Sequence, residues 1–255
     1  MKLSIISPIK FLEFSALTNY QLVLAHLLKN ERYKQFYKFL RKRGDYLVID
    51  NGVYETTIPM DVERVLDYAD EINAQEIILP DYRFDYKETK SAVFKALQNK
   101  KVYHSKRKLA ACVQGNNQKE WIKCLDDFMK VDRIDTICLQ KGICRDFKNY
   151  RIEICAYINE MKYYKKKQFH LLGTCSNPIE IDILNNKFKW IRGVDTKAPI
   201  FYGNAMNIKY DKENGVDILI KIDESHYFET EKIYHQDTIL HNIYCLIEWS
   251  GCYDD

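Results

Sequence analysis

The sequence predicts an α/β fold, a single-domain (β/α)₈ TIM-type barrel spanning residues 1–255. Three observations carry this. Short continuous runs of Val, Ile and Leu recur along the chain, as strands buried on both faces require. Longer segments with helical spacing separate them, so strand and helix alternate about seven times, the pattern of a parallel sheet. The length of 255 residues suits a barrel. An open doubly wound sheet shares the alternation and is the competing architecture.

The predicted strands are residues 3–6, 46–49, 77–79, 109–113, 136–139, 169–172 and 190–194. An eighth is assigned to 216–221, with a last helix over 237–249. Residues 61–72 place Val62, Val65, Leu66 and Ala69 on one helical stripe, and 117–129 do the same with Trp121, Cys124, Leu125 and Phe128. Residues 147–161 repeat the spacing with Tyr150, Ile154, Tyr157, Ile158 and Met161. Ser176-Asn177-Pro178 offers a cap followed by Pro at a first helical turn. The connection over 9–45 is long enough for two helices.

Composition narrows the functional classes. Lys and Arg total 39 against 36 Asp and Glu, so bulk charge does not announce a nucleic-acid binder and any such role falls to local patches. No apolar run approaches the roughly 18 residues of a membrane span, and the first residues are too briefly apolar for a secretory signal. The eight cysteines form no CxxC pair and no Cys/His set with zinc spacing, so a reduced, cytoplasmic setting is expected, with no metal. His226, His235 and His241 lack ligand spacing as well. No P-loop or GxGxxG is present, and no cofactor is expected.

Chemistry gathers where the predicted strands end. They run into Asp50-Asn51-Gly52, Pro80-Asp81, Gln114-Gly115-Asn116, Gln140-Lys141-Gly142, Gly173-Thr174 and Gly193-Val194-Asp195. Five of the nine glycines lie in these segments. Asp, Asn and Gly are good turn formers, which accounts for any one segment. In a parallel barrel, however, such ends converge on the face that holds active sites, and three of them bring an Asp. Two carboxylates on one cavity suit glycosyl transfer, one attacking the anomeric carbon while the other handles protons. Asp81 and Gln114 suit the donor and acceptor edge of a purine, and Tyr54 can stack on its face. Asp50, Asp81 and Asp195 as oxygen ligands of a metal-assisted hydrolase are the alternative.

The segments Val48-Ile49-Asp50-Asn51-Gly52-Val53-Tyr54-Glu55, Leu79-Pro80-Asp81, Val113-Gln114-Gly115, His170-Leu171-Leu172-Gly173 and Gly193-Val194-Asp195-Thr196-Lys197-Ala198-Pro199 anchor a stretch from about residue 45 to 203, most of the chain. In order and placement they resemble the tRNA-guanine transglycosylase superfamily, closest to its shorter phage-type branch that inserts 7-deazaguanines into DNA. The resemblance implies Asp195, four residues before Pro199, as the nucleophile and Asp50 as the general base. It implies Tyr54 and Leu172 on the two faces of the base, and Asp81 and Gln114 at its edge. Asn51, Gly115 and Gly173 complete that base pocket. Asn51 replaces the family's Ser, Thr196-Lys197-Ala198 replaces its Cys-Val-x, and the following Thr-Arg pair is absent. The Gly-Gly-Leu of the tRNA enzymes gives way to Gln140-Lys141-Gly142, and their zinc subdomain is missing. These departures favour DNA as partner over tRNA, with free guanine or a 7-deazaguanine as second substrate. The setting is then the cytoplasm, that of the host if the chain is phage-encoded.

A transglycosylase of a polymer needs cations near the site, and Lys141, Lys197 and Arg83 lie on the expected catalytic face. The clusters Arg41-Lys42-Arg43, Lys100 to Lys108 and Lys165-Lys166-Lys167, the last beside Tyr163 and Tyr164, follow predicted helices and precede strands. That assigns them to the opposite face as solvated turns. His170, inside a strand, reads as structural. A catalytically silent barrel that binds nucleic acid or a base has no need for both Asp50 and Asp195.

Overall fold

A computed structural model of the chain describes residues 1–141, 150–174, 177–211 and 226–252. Eight parallel strands form one sheet that nearly closes into a barrel, with helices around it. The strands are β1 (Lys2–Ile5), β2 (Tyr20–Leu24), β3 (Tyr46–Asp50), β4 (Glu76–Ile78), β5 (Lys108–Cys112), β6 (Thr136–Gln140), β7 (Gln168–Leu172) and β8 (Ile191–Thr196). From β2 to β8 each strand pairs with the next in sequence, and β1 pairs with β8 (Ser4 opposite Asp195). A doubly wound sheet would reverse its strand order; this one does not. At the seam between β1 and β2, the Leu22 N–H donates to the Ser4 hydroxyl at 2.8 Å in place of a ladder bond.

The predicted strand at 216–221 lies outside the described residues. The structure corrects the reading of the first connection as two helices: it contains β2, which is one of the eight strands of the sheet. That connection holds one α-helix, α1 (Glu31–Arg43), and short 3-10 segments at Ile9–Leu17 and Ala25–Leu27. Tyr-Gln-Leu-Val-Leu is buried at every position, much as the other strands are, but its apolar residues run on into the 3-10 turn at Ala25–Leu27, so no polar segment separates it from the turn that follows.

The remaining helices follow: α2 (Val53–Thr56), α3 (Val62–Ile72), α4 (Tyr86–Gln98), α5 (Lys100–His104), α6 (Gln118–Met129), α7 (Tyr150–Glu160), α8 (Glu180–Lys187), α9 (Ala198–Met206) and α10 (Gln236–Ser250). Their starts are chemically marked. Asp61, Asp85 and Asn117 each accept a first-turn N–H of α3, α4 and α6. The predicted stripes of α3 and α6 are buried. In α7, Ile154 and Ile158 are buried but Met161, past its end, is exposed. Ser176 lies outside the described residues; Asn177 accepts the Ile179 N–H before α8.

The barrel interior and the belt between sheet and helices form one apolar core. The basic clusters are tied down at the end where strands begin. Lys101 pairs with Glu63 and Asp67, Arg107 with Asp70, and Arg43 with the buried Asp45. The Lys167 ammonium donates to the Val131 and Ile134 carbonyls. Tyr163 donates to Asp126, and Tyr164 stacks on Trp190. These are packing roles.

Candidate functional site

A cavity of about 530 Å³ opens at the carboxyl ends of the strands. Of the residues singled out in the sequence, Asp50, Tyr54, Asp81, Arg83, Lys141, Leu172, Gly173, Asp195 and Lys197 line it. The volume lies within the range of small-molecule sites. Asn51 and Gln114 stand behind the wall, buried, and Gly115 is turned away from the cavity. A Cβ on Gly115 would sit 2.5 Å from the Trp121 amide nitrogen, so this glycine serves the close approach of α6. Gly142 and the rest of 142–149 lie outside the described residues.

Asp50 ends β3, and its Oδ2 accepts the Gly52 N–H at 2.9 Å. Burial pushes its carboxyl well above the ordinary carboxylate range, and the nearby charges of Glu55 and Asp81 push the same way. Gly52 has φ of 80°, and the chain turns there into α2, which carries Tyr54 to the cavity mouth. Three cations surround that ring: Arg83 at 4.7 Å, Lys197 at 5.7 Å and Lys141 at 5.9 Å from its centroid. The electron-rich face of the tyrosine offsets part of their mutual repulsion.

Asp81 follows β4 and is 2% exposed. The Asn51 amide donates to its Oδ1 at 2.6 Å and the Gln114 amide to its Oδ2 at 2.5 Å. Neither amide can turn over. The Asn51 carbonyl oxygen already accepts the Val53 N–H at 3.0 Å, and that of Gln114 accepts the Phe84 N–H at 2.9 Å and the Gln140 amide. Asp81 therefore meets donors at both oxygens, which suits a carboxylate. Burial pushes its carboxyl upward, against the pull of these two donors.

Asp195 lies near the end of β8, 4% exposed. The Gly173 N–H donates to its Oδ2 at 3.1 Å, and His170 Nε2 lies 3.0 Å from its Oδ1. Gly173 has φ of 64°, which favours glycine and aims its N–H at the carboxylate. The turn before it is held from behind: the buried Arg151 donates to the Leu172 carbonyl, and the Lys141 N–H bonds the same oxygen at 3.1 Å. The Thr196 hydroxyl receives the Ala198 N–H at 3.0 Å and so starts α9.

His170 is the residue the sequence reading set aside. The structure puts it against Asp195, fully buried. The available signal was alternation: His170 shares its strand face with Leu172, two residues on, and Leu172 lines the cavity. Phe201 and Phe228 line the cavity too, contributed by α9 and a 3-10 turn at Tyr227–Glu229 that no strand-end argument reaches. Among the described residues no three His, Cys, Asp or Glu side chains form a metal-ligand set, and no helix is long and apolar enough to cross a membrane. No protein-family model matches the chain, and no curated protein matches it.

Proposed function

We propose that the chain is a base-exchange transglycosylase that replaces guanine in DNA with a 7-deazaguanine. The observation that carries this reading is that Asp50 and Asp195 line one cavity in unlike environments. Asp50 is pushed toward its protonated form by burial and by neighbouring carboxylates. Asp195 is instead held at both oxygens, by the Gly173 N–H and by His170. Two carboxyl groups kept apart in this way divide into a proton carrier and a nucleophile.

In the proposed reaction an Asp195 oxygen attacks C1′ of the target nucleotide. The C1′–N9 bond breaks, its electron pair leaves with guanine, and Asp50 gives that base a proton. The sugar is then an ester of Asp195. A 7-deazaguanine enters the vacated pocket, gives its N9 proton to Asp50, and attacks C1′ from the opposite face. Asp195 departs as a carboxylate. Two inversions retain the sugar configuration, and Asp50 ends with the proton it began with. The target nucleotide must leave the stack to reach a cavity this deep.

Specificity follows the same geometry. Asp81 lines the cavity with fixed acceptor oxygens, suited to the amino and ring N–H groups of a guanine edge. Tyr54 offers a stacking face, and Arg83, Lys141 and Lys197 around it supply charge for flanking phosphates. The deciding experiment incubates the protein with DNA, and separately with tRNA, together with labelled guanine or 7-cyano-7-deazaguanine. Label in DNA that is lost in Asp195→Ala and Asp50→Ala upholds the proposal. Label in tRNA alone moves the substrate to RNA, and label in neither polymer refutes base exchange.

A further inference from the structure

We propose that His170 is a positioning residue for Asp195, its proton locked on Nε2 by a one-way hydrogen-bond chain that starts at Arg192 in the barrel floor. The catalytic consequence rests on the transglycosylase reading; the chain's direction does not. Arg192 can only donate. Its Nη1 donates to Glu76 at 2.6 Å and to the Thr136 hydroxyl at 3.1 Å, and its Nη2 to the Tyr20 hydroxyl at 2.8 Å. Tyr20, Glu76, Thr136 and Arg192 come from β2, β4, β6 and β8, the alternate strands that share a layer inside a barrel.

The Tyr20 oxygen accepts from Arg192, so its own hydrogen must point elsewhere. Its other contact is His170 Nδ1 at 3.3 Å. Burial keeps the phenol protonated, its pKa raised well above the usual range. Nδ1 is then an acceptor, and a neutral imidazole carries its proton on Nε2, which faces Asp195 Oδ1 at 3.0 Å. Burial pushes His170 below its ordinary range, against the pull of Asp195, which favours the neutral imidazole that this hydrogen-bond geometry requires. The charged and titratable groups around it are Asp195 and Arg192 on β8, Glu76 on β4, Tyr20 on β2, and Cys138 opposite it on β6.

Two backbone features build the chain. Phe169 pairs with Ile191 while His170 pairs with Gly193, so Arg192 has no partner on β7 at this register shift. Such a bulge re-aims a side chain, and here Arg192 reaches Tyr20 and Glu76. Gly193 leaves room for the phenol: a Cβ there would lie 3.2 Å from the Tyr20 ring. The opposite tautomer would set a lone pair of Nε2 against the carboxylate. With the proton on Nε2, both Asp195 oxygens are pinned, and the carboxylate released in the second half-reaction meets a donor already in place.

The test uses the full chain labelled with ¹⁵N-histidine and read by NMR from about pH 5.5 to 8.5. The expected result is one imidazole, absent from His170→Gln, that stays neutral with Nε2 protonated throughout. Tyr20→Phe should admit the other tautomer. A cationic His170 near neutrality, or a proton on Nδ1, overturns the chain. In base exchange, His170→Phe should lower kcat by about 10–100-fold, the loss of a hydrogen bond to a charged group, with KM for the base within about twofold. His170→Gln, which can still donate, should recover most of it. Wild-type kcat in His170→Phe overturns the positioning role. If the wild-type protein exchanges no base, the function reading falls, and the NMR result alone decides the chain.

Discussion

Asp81→Asn is nearly isosteric, yet the structure predicts that it is costly. The carboxylate accepts from Asn51 at 2.6 Å and from Gln114 at 2.5 Å, and both amides are locked by backbone N–H groups bonded to their oxygens. An Asn at 81 must turn its own NH₂ toward one of two donors. One hydrogen bond to a charged group is lost, about 1.5–3 kcal/mol, and buried donors are left facing each other, about 1–3 kcal/mol more. Relief of burying a charge returns part of this. The net expectation is a loss of about 2–4 kcal/mol, which lowers Tm by on the order of 10 °C in a chain of this size. The assay is urea denaturation, with a second variant as the check. Gln114→Glu combined with Asp81→Asn moves the negative charge across the same contact and restores donor to acceptor. The double variant should regain at least about 1 kcal/mol of coupling. Asp81→Asn within about 0.5 kcal/mol of wild type, or a double variant no better than additive, would refute the locked-amide argument.

Three further outcomes follow from the same geometry. The folded state disfavours ionised Asp50, so stability is intact below the ordinary carboxyl range near about pH 4 and erodes as pH rises through it toward the raised folded value. Asp50→Asn, which cannot ionise, should therefore melt higher than wild type at pH 7–8 by scanning calorimetry, with the gain vanishing in acid, while base exchange is lost. Gly173→Ala forces a side chain into φ of 64° with its Cβ 3.2 Å from Lys141, so it should cost about 1–2 kcal/mol and reduce turnover by moving the N–H that holds Asp195. Lys197→Ala should weaken DNA binding across all sequences and flatten the dependence of log Kd on log salt by about one unit in fluorescence anisotropy; an unchanged slope removes Lys197 from the phosphate contacts.

Seven of the eight strands were legible because each centres on apolar residues between polar turn residues, as burial on both faces favours, even where Ser4, His170, Arg192 and Gly193 interrupt β1, β7 and β8. Asp50, Asp81 and Asp195 were legible as a group for a related reason. A parallel barrel sends all its strand ends to one face, so polar residues after successive strands meet without any contact having to be foreseen. The sequence by itself thus determined the alternation, the α/β class with a parallel sheet, and the ring of strand-end residues. Only the tertiary structure decided how the barrel closes and what surrounds its carboxylates. Closure depends on β2, whose apolar residues continue into Ala25, Leu27 and Leu28 of the turn that follows, so that no polar turn residues mark its end. The partnerships of His170 with Asp195 and with Tyr20, and of Tyr20 with Arg192, join residues up to 172 positions apart across the barrel interior. Strand register and one bulge set those meetings, and neither leaves a local mark in composition or spacing.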